Sequence, residues 1–287
     1  MPVTTTWKKR LRKWRIRLAQ RLLCTATGRE LLVNSVRPEI LSMTADCGDH
    51  VMTFSPHDYI GRKIYRKGHF ERGNVDRLLQ ILRERSLLQA DGVLLELGGN
   101  IGTQTLYFAL SDAFRHIVTV EPDPRNFKLL RTNIDQNGFS DRITAVNSAA
   151  GETTGMLDFY LNQNNHGKSS AIRQSDRDTE IKVPVRPVLD ILAETGFAPE
   201  TIGLVWMDIE GYEPVAARSM LPLLERRVPF YMEFSPVFYG AEGSKDFVAF
   251  LSRFYDRCLI CRDDGIEEMN LADIPVDEIQ FDLLLLP

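Results

Sequence analysis

The chain has 287 residues, 44% of them hydrophobic, enough to bury a sizeable core in one large or two ordinary domains. Its net charge of −4 is unevenly spread: residues 1–29 hold nine Lys/Arg and no acid, which leaves 26 basic against 39 acidic residues, a net of −13, in the rest. That acidic body argues against nucleic acid as a partner, and no apolar run approaches the roughly 18 residues that a transmembrane helix needs.

Residues 1–28 read as a basic amphipathic helix. Trp7, Leu11, Trp14, Leu18 and Leu22 recur at helical spacing and form one apolar stripe, with Lys and Arg around it. Three readings stay open for it: a peripheral contact with an anionic membrane surface, a helix docked on the body or on a second copy of the chain, and a transit peptide. A secretory segment is not expected, because Arg17 and Arg21 interrupt every apolar stretch there. Four cysteines are too few for a disulfide framework and favour a reducing, cytoplasmic setting. Two of them, Cys258 and Cys261, are three apart in "DRCLICRD", which reads as a buried strand. That spacing points them to opposite faces, so they are not a metal pair.

We divide the chain into an N-terminal helix and extension, residues 1–65, and a main domain, residues 66–287. Short strand-like pieces surround "HVMTF". Asn74 is the expected cap of a helix from Val75 to Leu87 with Leu78, Leu79 and Leu82 inward. From residue 92 strands and helices alternate: strand "GVLLEL", helix 101–110, strand "RHIVTV", a helix opened by Pro124 and closed by Gly138, and strand "RITAVNSA". "GMLDFYL" and "EIKVPVRPV" read as an antiparallel pair around a polar loop. A helix near 189–195, strand "IGLVWMDI", helix 213–225, strand "VPFYMEF", helix 244–256, strand "CLICR" and a last strand "IQFDLLLL" follow. This is an α/β pattern with a largely parallel sheet and helices on both faces, and such sheets bind ligands at the carboxyl ends of their strands.

The strand ends carry the chemistry. The first ends in Glu96-Leu97-Gly98-Gly99-Asn100-Ile101-Gly102. A dinucleotide turn wants glycine at the first, third and sixth places; counted from Gly98, the third and sixth hold Asn100 and Thr103 instead. The turn fits S-adenosylmethionine better than NAD. The second ends in "VEPD", where Glu121 can accept both hydroxyl hydrogens of a ribose and Pro122 follows it. The third ends in Asn147-Ser148-Ala149, at the height of an adenine edge. The fourth ends in "WMDIEGYE", which crowds Asp208, Glu210 and Glu213, and Glu233 ends the neighbouring strand. Close carboxylates raise each other's pKa, so one can serve as a base, and their oxygens also suit a divalent cation. Glu210 and Glu213 read equally as acids capping a helix start. No metal is assigned.

Together these pieces resemble the FkbM family of S-adenosylmethionine-dependent methyltransferases. The likeness is carried by "LLELGGNIGTQT", "VEPDPRNFKLLRTNI", "NSAAGETTGMLDFYL", "KSSAI", "VPVRPVLDIL", "LVWMDIEGYE" and "YMEFSP", in family order over residues 65–287, with "GHFE" before them. The resemblance implies a class I methyltransferase fold, Rossmann-like and seven-stranded with an antiparallel last strand. It also implies O-methylation of a hydroxyl on a sugar, lipid or other natural-product acceptor. By the same likeness Glu96, Gly98, Asn100 and Gly102 form the cofactor loop, Glu121 is the ribose acid, and Asp208 stands between methyl donor and acceptor. Met207 takes the place where the family more often has Lys, which removes a positive charge from the site. The candidate bases are Asp208, Glu210, Glu233 and His166, the last from the polar loop "NNHGKSS". The rival readings are an NAD-dependent oxidoreductase and a membrane-associated binding module without catalysis.

Overall fold

A computed structural model describes residues 4–262 and 264–287. The chain separates into two compact units, Met1–Phe70 and Glu71–Pro287, so the break falls five residues beyond the boundary expected from the sequence.

The first unit begins with two helices, α1 (Thr4–Leu23) and α2 (Ala26–Asn34), where the sequence suggested one. Thr25 causes the break. Its extended backbone and its hydroxyl, which accepts from Gly28 N at 3.1 Å, cap the second helix. A side chain at Gly28 would strike the Leu22 carbonyl at 2.1 Å, so glycine permits the close crossing. A hairpin follows, β1 (Met43–Asp46) with β2 (Val51–Phe54), and then α3 (Tyr59–Lys67), capped by Asp58 and ended by Gly68 at φ +79°.

The second unit opens with α4 (Arg72–Glu84). It starts three residues before the expected point, from Glu71 in a left-handed conformation, and buries Leu78, Leu79 and Leu82 as expected. Then come β3 (Val93–Leu97), α5 (Thr103–Ser111), β4 (His116–Val120), α6 (Pro124–Gln136), β5 (Ile143–Val146) and β6 (Ala149–Ala150). The predicted pair is β7 (Gly155–Leu161) and β8 (Thr179–Arg186), antiparallel and in a separate three-stranded sheet with β6. Next are α7 (Val188–Thr195), β9 (Ile202–Met207), α8 (Glu213–Arg218), α9 (Leu221–Glu225), β10 (Phe230–Phe234), α10 (Pro236–Leu251), β11 (Arg257–Arg262), β12 (Gly265–Asn270) and β13 (Phe281–Leu286). The expected helix 213–225 is two, because Pro222 starts α9 afresh. The expected helix 244–256 begins at Pro236 and carries a kink at Gly240, φ +69°.

The main sheet has the order β12-β11-β13-β10-β9-β3-β4-β5. Strands β5, β4, β3, β9 and β10 are parallel, and β13 runs antiparallel between β10 and β11. Seven of these strands match the expected arrangement, including the antiparallel last strand. The eighth, β12, corrects the expectation. Its "GIEEMN" is mostly exposed and shows no apolar alternation; it is a charged edge strand hairpinned to β11.

The central strands are buried on both sides, as a parallel sheet requires. Leu95, Val205 and Met207 enter one core, while Leu94, Leu204 and Trp206 enter the other. Cys258 and Cys261 also divide between the two cores, as the strand period demands. Burial pushes their thiols up to about 12 and about 11, so they are packing residues. The chain order reverses between β3 and β9. Their carboxyl ends therefore flank the crevice where such sheets bind ligands.

Candidate active site

Two turns meet at that crevice. The first, after β3, needs Gly98 at φ +95°, Asn100 at +48° and Gly102 at +91°. Gly98 N and Gly99 N both donate to Val120 O, at 2.9 and 3.0 Å, which ties the turn to the end of β4. A Cβ at Gly98 would lie 1.8 Å from the Asp208 carbonyl, and one at Gly99 2.1 Å from Thr119 Oγ1. These glycines therefore serve close backbone approach as much as conformation.

Glu96 lies beneath the turn, fully buried, and accepts from Thr105 Oγ1 at 2.5 Å. Burial lifts its carboxyl to about 7. Its side chain positions the loop against α5 from below. Glu121 is 5% exposed; its two oxygens accept from Asn100 N at 2.8 Å and Asp123 N at 2.7 Å. Burial, and then the neighbouring Asp123, push it up to about 8. It thus clamps the glycine turn to the end of β4. Pro122 beside it accepts from Asn147 Nδ2 at 3.3 Å. The buried Ser148 hydroxyl donates to Ala149 O and Pro184 O, towards β8, while Ala149 pairs with Val185.

The second turn follows β9. Asp208 N donates to Leu97 O at 3.0 Å, so the two turns are joined through their backbones. Glu210 stands at φ +53° and Gly211 at +99°. Glu213 reaches back and accepts from Ile209 N at 2.9 Å, Gly211 N at 3.0 Å and Tyr239 Oη at 2.7 Å. Glu213, in the first turn of α8, therefore holds the turn that leads into the helix.

Carboxylate oxygens of Asp208, Glu210 and Glu233 lie within 4.8 Å of one another, a spacing that one cationic centre would satisfy. Glu233 is held by Ser235 Oγ at 3.1 Å and Gln280 Nε2 at 2.9 Å. Burial raises all three, and repulsion comes second at two of them: Glu233 and Glu210 push Asp208 well above its ordinary value, and Glu210 and Glu213 help push Glu233 to about 8. Glu210 rises to about 7 by burial, and the Lys168 ammonium draws it back down.

Two residues at this site escaped the sequence reading. Glu71, the acid of "GHFE", adds a fourth carboxylate that repels both Asp208 and Glu210. Burial and Asp282 lift it to about 7, and Gln104 Nε2 holds it at 3.2 Å. Its left-handed backbone, φ +53°, is the local cost of aiming it here. Lys168 is the other. It supplies a positive charge near the site where Met207 removed one, and it comes from the "KSSAI" stretch of the polar loop. That loop is anchored at both strand ends: Ser170 Oγ donates to Glu210 O at 2.6 Å, and Arg125 Nη2 donates to Ser169 Oγ at 3.3 Å. His166 sits in the same loop on a short 3₁₀ turn, where its carbonyl accepts from Asn126 Nδ2 at 3.3 Å. It is outside the converging carboxylate set.

The family model for the methyltransferase FkbM domain matches residues 96–251, which span both turns. The chain belongs to the FkbM methyltransferase family. It is 30% identical over 166 residues to the 2-O-methyltransferase NoeI of Sinorhizobium fredii, covering 52% of this chain and 66% of that protein. Similar solved structures include an O-methyltransferase from Bacillus cereus in complex with SAH, at 12% identity, TM-score 0.39, and 80% and 98% coverage of the two chains. A precorrin 8W decarboxylase from Methanobacterium thermoautotrophicum matches at 14% identity, TM-score 0.39, and 75% and 89% coverage.

Proposed function

We propose that this FkbM methyltransferase uses S-adenosylmethionine and methylates a hydroxyl oxygen of a small-molecule or glycan acceptor. The observation that carries the reading is the pairing of the glycine turn with the acid cluster. Gly98 lies against the backbone of Asp208, and three carboxylates converge beside it. The relative's printed activity, a 2-O-methyltransferase, supports oxygen as the methylated atom.

The residues fit a sulfonium cofactor. Asn100 in the glycine turn has a buried side-chain oxygen, Oδ1, without a hydrogen-bond partner. The neighbouring acids supply surplus negative charge for a positive ligand. In this reading Glu96 shapes the loop, while Gly98, Asn100 and Gly102 line it. Glu121 and Pro122 border the ribose, and Ala149 and the main chain of Ser148 border the adenine. The cofactor supplies an electrophilic methyl group on sulfur. An NAD reading lacks its third-place glycine, where Asn100 stands.

The chain's own part is to orient the acceptor and take its proton. Orientation of two reactants is worth up to about 7–11 kcal/mol, and a positioned base adds roughly 10²–10⁴-fold. Without a positive partner the cluster holds protons. With one beside it, the pKa values fall and Asp208 is free to accept the hydroxyl proton. Glu210 and Glu233 share the negative charge and hold the acceptor. Lys168 and His166 are carried over the crevice by the polar loop.

Transfer of labelled methyl from S-adenosylmethionine to a panel of hydroxylated glycans, lipids and polyketides tests the reading. Label on an acceptor oxygen is the expected result. Thermal stabilisation by NAD but not by S-adenosylmethionine would overturn it.

A further inference from the structure

We infer that α1 is a docking surface for an anionic lipid bilayer. Its apolar stripe is exposed: Trp7 is 65% accessible, Trp14 60% and Leu22 62%, with Leu11 and Leu18 also exposed. At about 100° per residue these five fall within a sector roughly 80° wide. Arg10, Arg17 and Arg21 border that sector on one side, Lys8 and Arg15 on the other. Between Trp7 and Leu22 the helix carries eight Lys/Arg and no acid.

Charge decides the occupant. A second copy of α1 would bring another eight cations against the first eight, with no carboxylate to offset them. A nucleic acid would engage the cations and leave two tryptophans and three leucines in water. An anionic bilayer satisfies both faces at once. The stripe enters the boundary between headgroups and acyl chains, tryptophans settle at that level, and the flanking arginines reach the phosphates by their long stems. The helix is too short of apolar residues to cross: among the described residues no helix is long and apolar enough to span a membrane. It lies on the surface. This inference is independent of the methyl-transfer reading, because it uses no residue of the crevice.

The test uses the full chain and vesicles of phosphatidylcholine, with or without phosphatidylglycerol. Trp206, the third tryptophan, is buried in the sheet, so a change in tryptophan emission on adding vesicles reports Trp7 and Trp14. A blue shift and co-flotation are expected with phosphatidylglycerol vesicles. Binding should be weaker by at least about tenfold with phosphatidylcholine alone or in high salt. The double variant Trp7→Ala/Trp14→Ala should lose flotation, and Arg10→Gln/Arg17→Gln/Arg21→Gln should weaken it, both with an unchanged melting curve. Equal binding to both vesicle types, or equal flotation of the tryptophan variant, overturns the inference. So does a dimer in sedimentation that the tryptophan variant abolishes while flotation is absent.

Discussion

The turn after β3 and the turn after β9 are built from similar residues and do different work. Each pairs a glycine at positive φ with a polar residue in the left-handed region: Gly98 with Asn100, Gly211 with Glu210. The first is clamped from outside, by Glu121 on the next strand. The second is clamped from within, by its own Glu213. Because Glu213 satisfies the turn's amides, Asp208 and Glu210 are released to face the crevice. The lesson is that a cluster of acids in sequence divides its labour only in space. One carboxylate supports the backbone, and the others converge at the strand ends.

The largest expected effect comes from removing the second turn's crevice acid. Asp208→Ala should lower methyl transfer by at least about 10²-fold, the low end of what a positioned base supplies. Its melting temperature should not fall, since burial and the repulsion of Glu233 and Glu210 both oppose a charge on Asp208. Full activity in a folded Asp208→Ala protein would remove it from the mechanism.

The next test attacks the junction of the two turns. Gly98→Ala must place a Cβ 1.8 Å from the Asp208 carbonyl at φ +95°. Strain and overpacking together should cost roughly 2–5 kcal/mol. Gly138→Ala is the control, since Gly138 has φ +73° and open space around it. It should cost only about 1–2 kcal/mol, the conformational part alone. Urea unfolding of the two variants separates close approach from backbone strain. Equal losses would mean that the turns do not need their contact.

How much of this was legible in the sequence follows from the range of each interaction. The first turn was readable because its glycines and Asn100 act on their own backbone. Asp208 and Glu233 were readable as strand ends. Glu71 was not, because it reaches the site from a helix start far upstream, and nothing local marks its direction. Lys168 was not, because a loop fold decides where its charge lands. The partners of the Ser148 hydroxyl were not, because β6 leaves the main sheet to pair with β8. The polar edge strand β12 left no apolar period to read.

Clamp residues should differ in what they hold. Glu121→Ala should weaken S-adenosylmethionine binding about tenfold or more in calorimetry, since the donors at that buried carboxyl lose an acceptor worth roughly 1–3 kcal/mol. Glu213→Ala should instead lower stability by about 1–3 kcal/mol, since three donors lose their acceptor. Glu210→Ala should do neither to that degree. If Glu210→Ala destabilises as much as Glu213→Ala, the division of labour inside the second turn is wrong.

The smallest effect, and the most diagnostic of the acids as a group, is in pH. Glu71 and Glu210 are raised to about 7 and Glu233 to about 8, above the ordinary 4.5, chiefly by burial. The folded protein therefore binds these protons more tightly than the unfolded chain. The stability they contribute is complete below about 4.5 and is lost as pH rises through 7 and 8. Thermal melts of the protein without cofactor should accordingly fall by a few degrees across that window. Lys168 opposes the trend only at Glu210. A positive ligand reverses it: the acids release protons when the ligand binds, so affinity for S-adenosylmethionine should rise over the same window. Calorimetry in two buffers of different ionisation heat would read the released protons directly. Proton uptake on binding, or a Glu233→Gln variant whose pH profile matches the parent, would show that the cluster does not sense the ligand's charge.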